Sequence, residues 1–208
     1  MSRPITLIYG GSFDPPHVMH GRMASVAADS IGATTIVIIP TGVNPQRTQA
    51  PPSPAIHRLA MVRLAFANES RAVIDDRETL REGKSYTVDT LEELARERPN
   101  ETLRLLLGGD QALNFQSWRN PERIIELAEP VVVPRPPMDA AALMNALEKR
   151  YGVHAHAWIG RVLKVAPVDL SSTSLRATLA QGVHPEPAAI LPSVAAYALQ
   201  HKLYQPLA

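Results

Sequence analysis

At 208 residues, with 45% hydrophobic and 20% charged side chains, the chain can bury a core, is too apolar to stay disordered, and suits a single domain over 1–208. Lys and Arg number 21 against 20 Asp and Glu, so no broad positive field exists to hold a nucleic-acid backbone or an anionic membrane, and any phosphate binding must be local. The absence of cysteine excludes a disulfide framework, a thiolate nucleophile and every Cys-containing zinc site.

Residues 1–10 lack the long apolar core of a secretory leader, and no apolar stretch approaches the roughly 20 residues that cross a bilayer. A cytoplasmic protein with neither membrane nor nucleic acid as partner is expected. Residues 5–9 form a β-rich run closed by Gly10-Gly11, and 35–39 form a second, closed by Pro40. Between them, 20–31 are rich in alanine and methionine without proline, as a crossover helix would be. Pro45, Pro51, Pro52 and Pro54 forbid a regular element over 41–54, which is expected to be a long exposed loop and a candidate lid. Ser53-Pro54 reads as a cap with proline at the first helical position, opening a helix to about Ala67 with Ile56, Leu59, Val62 and Phe66 inward. Another helix opens at Thr87, with Val88, Leu91 and Leu94 inward and Glu92, Glu93 and Arg96 outward, and ends at Pro99. Apolar runs at 103–107 and 130–133 predict strands flanking a polar helical stretch around 110–128, and 162–165 predicts one more. Alternating β and α argues a doubly wound α/β sheet, whose ligand crevice lies at the carboxyl ends of the strands, followed by helices from about residue 172.

Two segments carry chemistry. Gly10-Gly11-Ser12-Phe13-Asp14-Pro15-Pro16-His17-Val18-Met19-His20 stands between the first strand and the first helix. Its glycines allow close backbone approach, its prolines stiffen the turn, and free amides opening the helix favour an anion. His17 and His20 are expected on one face of the first helical turn, where both rings can donate to phosphate oxygens. No Gly-Lys-[Ser/Thr] or Gly-x-Gly-x-x-Gly follows, and the histidines are three apart without the Glu of a helical zinc site. The second segment is Asp169-Leu170-Ser171-Ser172-Thr173-Ser174-Leu175-Arg176, hydroxyls at a helix start with a fixed charge in the first turn. Alone it is an ordinary cap; with the first segment it becomes a second phosphate contact.

Together these segments resemble the signatures of the α/β nucleotidyltransferases, Gly-x-Phe-Asp/Asn-Pro-x-His-x-x-His and Ile-Ser-Ser-Thr-x-Ile-Arg, with Leu170 and Leu175 replacing the isoleucines. Ser85-Tyr86-Thr87-Val88-Asp89-Thr90-Leu91, then Gly108-Gly109-Asp110 with Trp118 downstream, and Val131-Val132-Val133-Pro134-Arg135-Pro136 are similar to the bacterial nicotinate-nucleotide adenylyltransferases. The resemblance covers nearly the whole chain. It implies a Rossmann-like nucleotidyltransferase fold with a small C-terminal helical segment. The implied activity is transfer of AMP from ATP to nicotinate mononucleotide, with pyrophosphate released, in NAD biosynthesis. His17, His20 and Arg176 would act on the reacting phosphates, and Gly10, Gly11, Ser12, Phe13, Asp14, Ser171, Ser172, Thr173 and Arg135 would hold ATP. Arg47, Thr87, Gly109, Asp110, Trp118 and Arg119 would hold the mononucleotide. Among these, Trp118 would stack on the pyridine, Asp110 would take the ribose hydroxyls, and amides near Thr87 and Trp118 would receive the carboxylate. By themselves Trp118 reads equally as a core or surface aromatic, Asp110 as a helix cap and Arg47 as a solvated charge. A Mg²⁺ ion is expected with ATP, held by phosphates and water rather than by protein ligands.

Two positions depart from the family: Met19 stands where Gly is usual, and Pro45-Gln46-Arg47 replaces Pro-His-Lys. Other readings on the same fold are a nicotinamide-mononucleotide or phosphopantetheine adenylyltransferase, or a non-catalytic nucleotide-binding regulator.

Overall fold

The computed structural model describes residues 3–46, 53–152, 158, 160–165 and 171–205. Five strands, β1 Ile5–Gly11, β2 Thr35–Pro40, β3 Ala72–Ile74, β4 Thr102–Gly108 and β5 Glu129–Val133, form one sheet in the order β3-β2-β1-β4-β5. β4 is parallel to both neighbours, with Ile5 opposite Thr102 and Leu106 opposite Val131. The strand order reverses at β1, as in the expected doubly wound sheet. Leu7, Ile36, Val37 and Ile38 are wholly buried, which is why these strands read as continuous apolar runs rather than alternating ones.

The helices are α1 Val18–Ile31, α2 Ala55–Ala65, α3 Arg77–Leu80, α4 Thr87–Glu97, α5 Gly109–Leu113 and α6 Pro121–Leu127. They continue as α7 Ala140–Tyr151, α8 Ser172–Ala180 and α9 Pro192–Gln200. α4 buries Val88, Leu91 and Leu94 as its spacing predicts and stops before Pro99. Among the described residues, no helix is long and apolar enough to cross a membrane.

Several elements differ from expectation. β1 runs through Gly10 and Gly11, so the glycines end the strand instead of forming the turn after it. α2 turns Arg58, Met61 and Val62 inward while Ile56 is 72% exposed. Its N-cap is Pro54 with no side-chain cap, and the Ser53 amide bonds elsewhere. The start of the proline loop is pinned: Val43 bridges Lys84, and a Cβ on Gly42 would lie 2.0 Å from the Glu78 carbonyl oxygen. The stretch 110–128 breaks into α5, a 3₁₀ turn Phe115–Ser117 and α6, with Asn120 left-handed between the last two. Of the strand expected at 162–165, only a bridge from Val162 to Val132 forms among the described residues.

The chain groups into two compact units, each gathered from separate segments: Met1–Tyr9, Ala24–Val37 and Tyr86–Asp169 in the first, Gly10–Met23, Ile38–Ser85 and Leu170–Ala208 in the second. The second unit packs Met61 of α2 against Leu175 and Leu179 of α8 and Val194, Ala195 and Ala198 of α9.

Candidate active site

In the second unit, the segment after β1 is shaped by one strained residue. Phe13 sits in the left-handed region at φ 47, a conformation costing a residue with a side chain about 1–2 kcal/mol. Its ring lies over Gly11, where a Cβ would come within 3.0 Å of Cζ, and meets His20 and Phe66 edge-on at 5.1 and 6.2 Å. His17 stands just before α1 rather than in its first turn. Its amide donates to Nδ1 of His20 at 3.0 Å, and its carbonyl accepts the His20 amide at 2.9 Å. The two imidazoles stack with centroids 3.7 Å apart. Because Nδ1 of His20 accepts, the neutral ring carries its proton on Nε2.

α8 is tied to this loop. Ser171 caps the helix, its hydroxyl accepting the Ser174 amide at 3.3 Å, as the cluster of hydroxyls predicts. Ser172 donates to the Pro15 carbonyl at 3.0 Å, and Nη1 of Arg176 donates to the Asp14 carbonyl at 2.7 Å while Nη2 reaches Thr173 Oγ1 at 3.1 Å. The two sequence segments read as one phosphate site therefore meet in the fold.

In the first unit, a second group of predicted residues gathers after β4 and β5. Arg135 and Asp110 both lie beside Gly108, where a Cβ would fall 2.7 Å from Asp110 Oδ1 and 3.2 Å from Arg135 Cδ. The Tyr9 phenol is held well above its ordinary range by burial, an effect the Arg135 guanidinium opposes and the Asp110 carboxylate reinforces. Gly109 faces inward, where a Cβ would meet Leu143 Cδ2 at 2.9 Å, so its missing side chain serves packing. Trp118 rests on Phe115 at 5.2 Å, and Phe115 meets Trp158 edge-on at 4.9 Å. The Trp118 amide is already committed to the Phe115 carbonyl at 3.0 Å, and its buried indole Nε1 has no partner among the described residues. Thr87 opens α4, and Arg119 lies over the Tyr86 ring at 4.8 Å and 3.6 Å from Asp89.

Arg47, Asp169 and Leu170 lie outside the described residues. Gln46 is placed by a short turn in which its amide donates to Asn44 Oδ1 at 2.9 Å. Two residues escape sequence reasoning. Arg58, 2% exposed, donates from Nη1 to the Ser12 carbonyl at 3.1 Å and from Nε to the Ser53 carbonyl at 2.9 Å. A charge three and four residues before the buried Met61 and Val62 is the signal that could have found it. Tyr204 donates to Asp14 Oδ1 at 2.7 Å, and no local pattern marks it.

The cytidylyltransferase-like family profile matches residues 8–178. A protein of Aeromonas hydrophila named as a probable nicotinate-nucleotide adenylyltransferase is 37% identical over 218 residues, covering 99% of this chain and 100% of the relative. A Chromobacterium violaceum protein of the same name is 36% identical, covering 95% of this chain and 97% of the relative. Among solved structures, the Plasmodium falciparum nicotinic acid mononucleotide adenylyltransferase complexed with NaAD superposes with a TM-score of 0.74 over 97% of both chains, at 20% identity. The same protein complexed with APC gives 0.72 at the same identity. At that identity the structural likeness speaks for the fold; the sequence relatives carry the family. With the loop after β1 carrying a histidine pair and anchored by a Ser-Ser-Thr helix, the chain belongs to the cytidylyltransferase-like family and, within it, to the nicotinate-nucleotide adenylyltransferases.

Proposed function

We propose the following division of roles for transfer of AMP from ATP to nicotinate mononucleotide, yielding nicotinate adenine dinucleotide and pyrophosphate. A phosphate oxygen of the mononucleotide attacks the α-phosphorus of ATP in line. The new O–P bond forms as the bond from the α-phosphorus to its bridging oxygen breaks, and that oxygen leaves with the electron pair on pyrophosphate. The attacking phosphate is already ionised, so no protein nucleophile is required, and positioning with charge neutralisation supplies the rate.

The observation carrying this reading is the stacked His17–His20 pair at the N-terminus of α1, on a loop tied to α8 by Ser172 and Arg176. His17 and His20 donate to the triphosphate, whose charge Arg176 offsets, and the amides of Ser171, Ser172 and Thr173 with the hydroxyls of Ser171 and Thr173 donate to its oxygens. Trp118 stacks on the pyridine, with Thr87, Asp110 and Arg119 around the mononucleotide, and Arg135 with Arg47 supplies further positive charge. The neighbours crystallised with NaAD and with APC support nucleotide substrates. Among the described residues no three His, Asp or Glu side chains gather to hold a metal; a divalent cation would enter with ATP on phosphate oxygens and water, supplying charge neutralisation there.

Pyrophosphate release by the purified protein, with ATP and each of nicotinate mononucleotide, nicotinamide mononucleotide and phosphopantetheine in turn, tests the reading. The nicotinate form should be the fastest acceptor. Faster release with either alternative, or none with nicotinate mononucleotide, would overturn it.

A further inference from the structure

Asp14 belongs to the phosphate loop by position, yet its side chain faces the protein. It is buried; Oδ1 accepts the Tyr204 hydroxyl at 2.7 Å and Oδ2 accepts the Ser53 amide at 2.9 Å. The backbone around it is held as well, by Arg58 at the Ser12 carbonyl, Arg176 at the Asp14 carbonyl and Ser172 at the Pro15 carbonyl. A buried guanidinium aimed at loop carbonyls draws stabilisation from the loop's keeping that geometry.

Tyr204, beyond α9, adds a further contact. Its backbone is left-handed at φ 74, as is Phe13 at φ 47, so two sterically unfavourable residues flank the Tyr204–Asp14 hydrogen bond. Strain of this kind persists where the surroundings over-determine it. The Tyr204 ring packs on the cluster of Met61, Leu203 and the α8–α9 residues, which fixes the height of its hydroxyl. Burial and the adjacent Asp14 carboxylate hold the phenol above its ordinary range, which disfavours its ionised form.

We propose that Tyr204 is a positioning residue for ATP: through Asp14 it fixes the backbone of residues 13–17 and thereby the places of His17 and His20. This rests on the reading of the loop as the ATP site. Y204F keeps the ring packing and removes only the donor. It should raise the KM for ATP about tenfold, the scale of one lost hydrogen bond to a buried charge, with the KM for nicotinate mononucleotide nearly unchanged and the Tm lowered by only a few degrees. In the ligand-free protein, amide exchange at Phe13, Asp14 and His17 should accelerate by about tenfold as well.

A KM for ATP within about twofold of wild type overturns the proposal while leaving the reaction standing. So do equal rises in both Michaelis constants that track a fall in Tm, since Tyr204 would then serve only general stability. If wild type itself releases no pyrophosphate from ATP and nicotinate mononucleotide, the reaction reading fails and exchange decides. Acceleration confined to the loop then supports the tether, and unchanged exchange overturns it.

Discussion

His17 and His20 form a stacked pair in which one residue's backbone holds the other's ring. On the proposed reading each ring donates to the reacting phosphates, and H17A or H20A should lower turnover by about 10²–10³, as loss of a fixed donor to a charged transition state does. Pyrophosphate release measures this, and activity within about threefold of wild type would remove the pair from the reaction, since each ring would supply under 1 kcal/mol. Trp118, backed by Phe115 and Trp158, is expected to act on one substrate alone. W118A should weaken nicotinate mononucleotide binding by about 1–3 kcal/mol of stacking and leave ATP affinity unchanged, as titration calorimetry with each ligand would show. Parallel losses for both ligands, together with a lowered Tm, would return Trp118 to the core. These residues were legible because each lies in a short contiguous pattern. Arg58 and Tyr204 were not, since their partners Ser12 and Asp14 are distant in sequence and only the fold brings them together.

Glu129, the first residue of β5, accepts from Arg104 at 2.9 Å and pairs with both terminal nitrogens of Arg161. The Arg161 hydrogen bond, then Arg104, holds its carboxyl below the ordinary value of 4.5 against the opposing effect of burial. A carboxylate with a lowered folded-state pKa contributes stability above its unfolded value, and that contribution disappears as pH falls through the folded one. Melting temperature should therefore drop on acidification below about pH 5, and E129Q should flatten the drop. The Glu129 side chain is 39% exposed, so solvent screening limits the effect to about 1 kcal/mol or less. An E129Q melting profile parallel to wild type down to acid pH would remove the cluster from the stability balance. At this scale the sequence was read unevenly. α4 was clear because its apolar and charged faces separate cleanly. α2 was misread because a buried Arg58 and an exposed Ile56 invert the usual sorting, the first stabilised by carbonyl partners that no helical pattern displays.

For the molecule as a whole, fold class was legible from the alternation of apolar runs and helical periods, which leaves few topologies once crossover handedness is fixed. The grouping of segments into two units was not, since nothing in local composition marks the points where the chain leaves one and enters the other. That arrangement has a kinetic meaning. Three of the bonds fixing the loop after β1 join residues 157, 162 and 190 apart in sequence. The longest of these is twice the 95 that separates Thr6 from Glu101 in the first unit, and each doubling of a closed loop costs about 0.6 kcal/mol of chain entropy. Both tryptophans, Trp118 and Trp158, lie in the first unit. During refolding their fluorescence should recover before a fluorescent ATP analogue can bind, with a lag that simultaneous recovery would disprove. Competence to grip phosphate thus becomes a late event of folding, and nucleotide would draw newly made chains through their final and most distant ring closure.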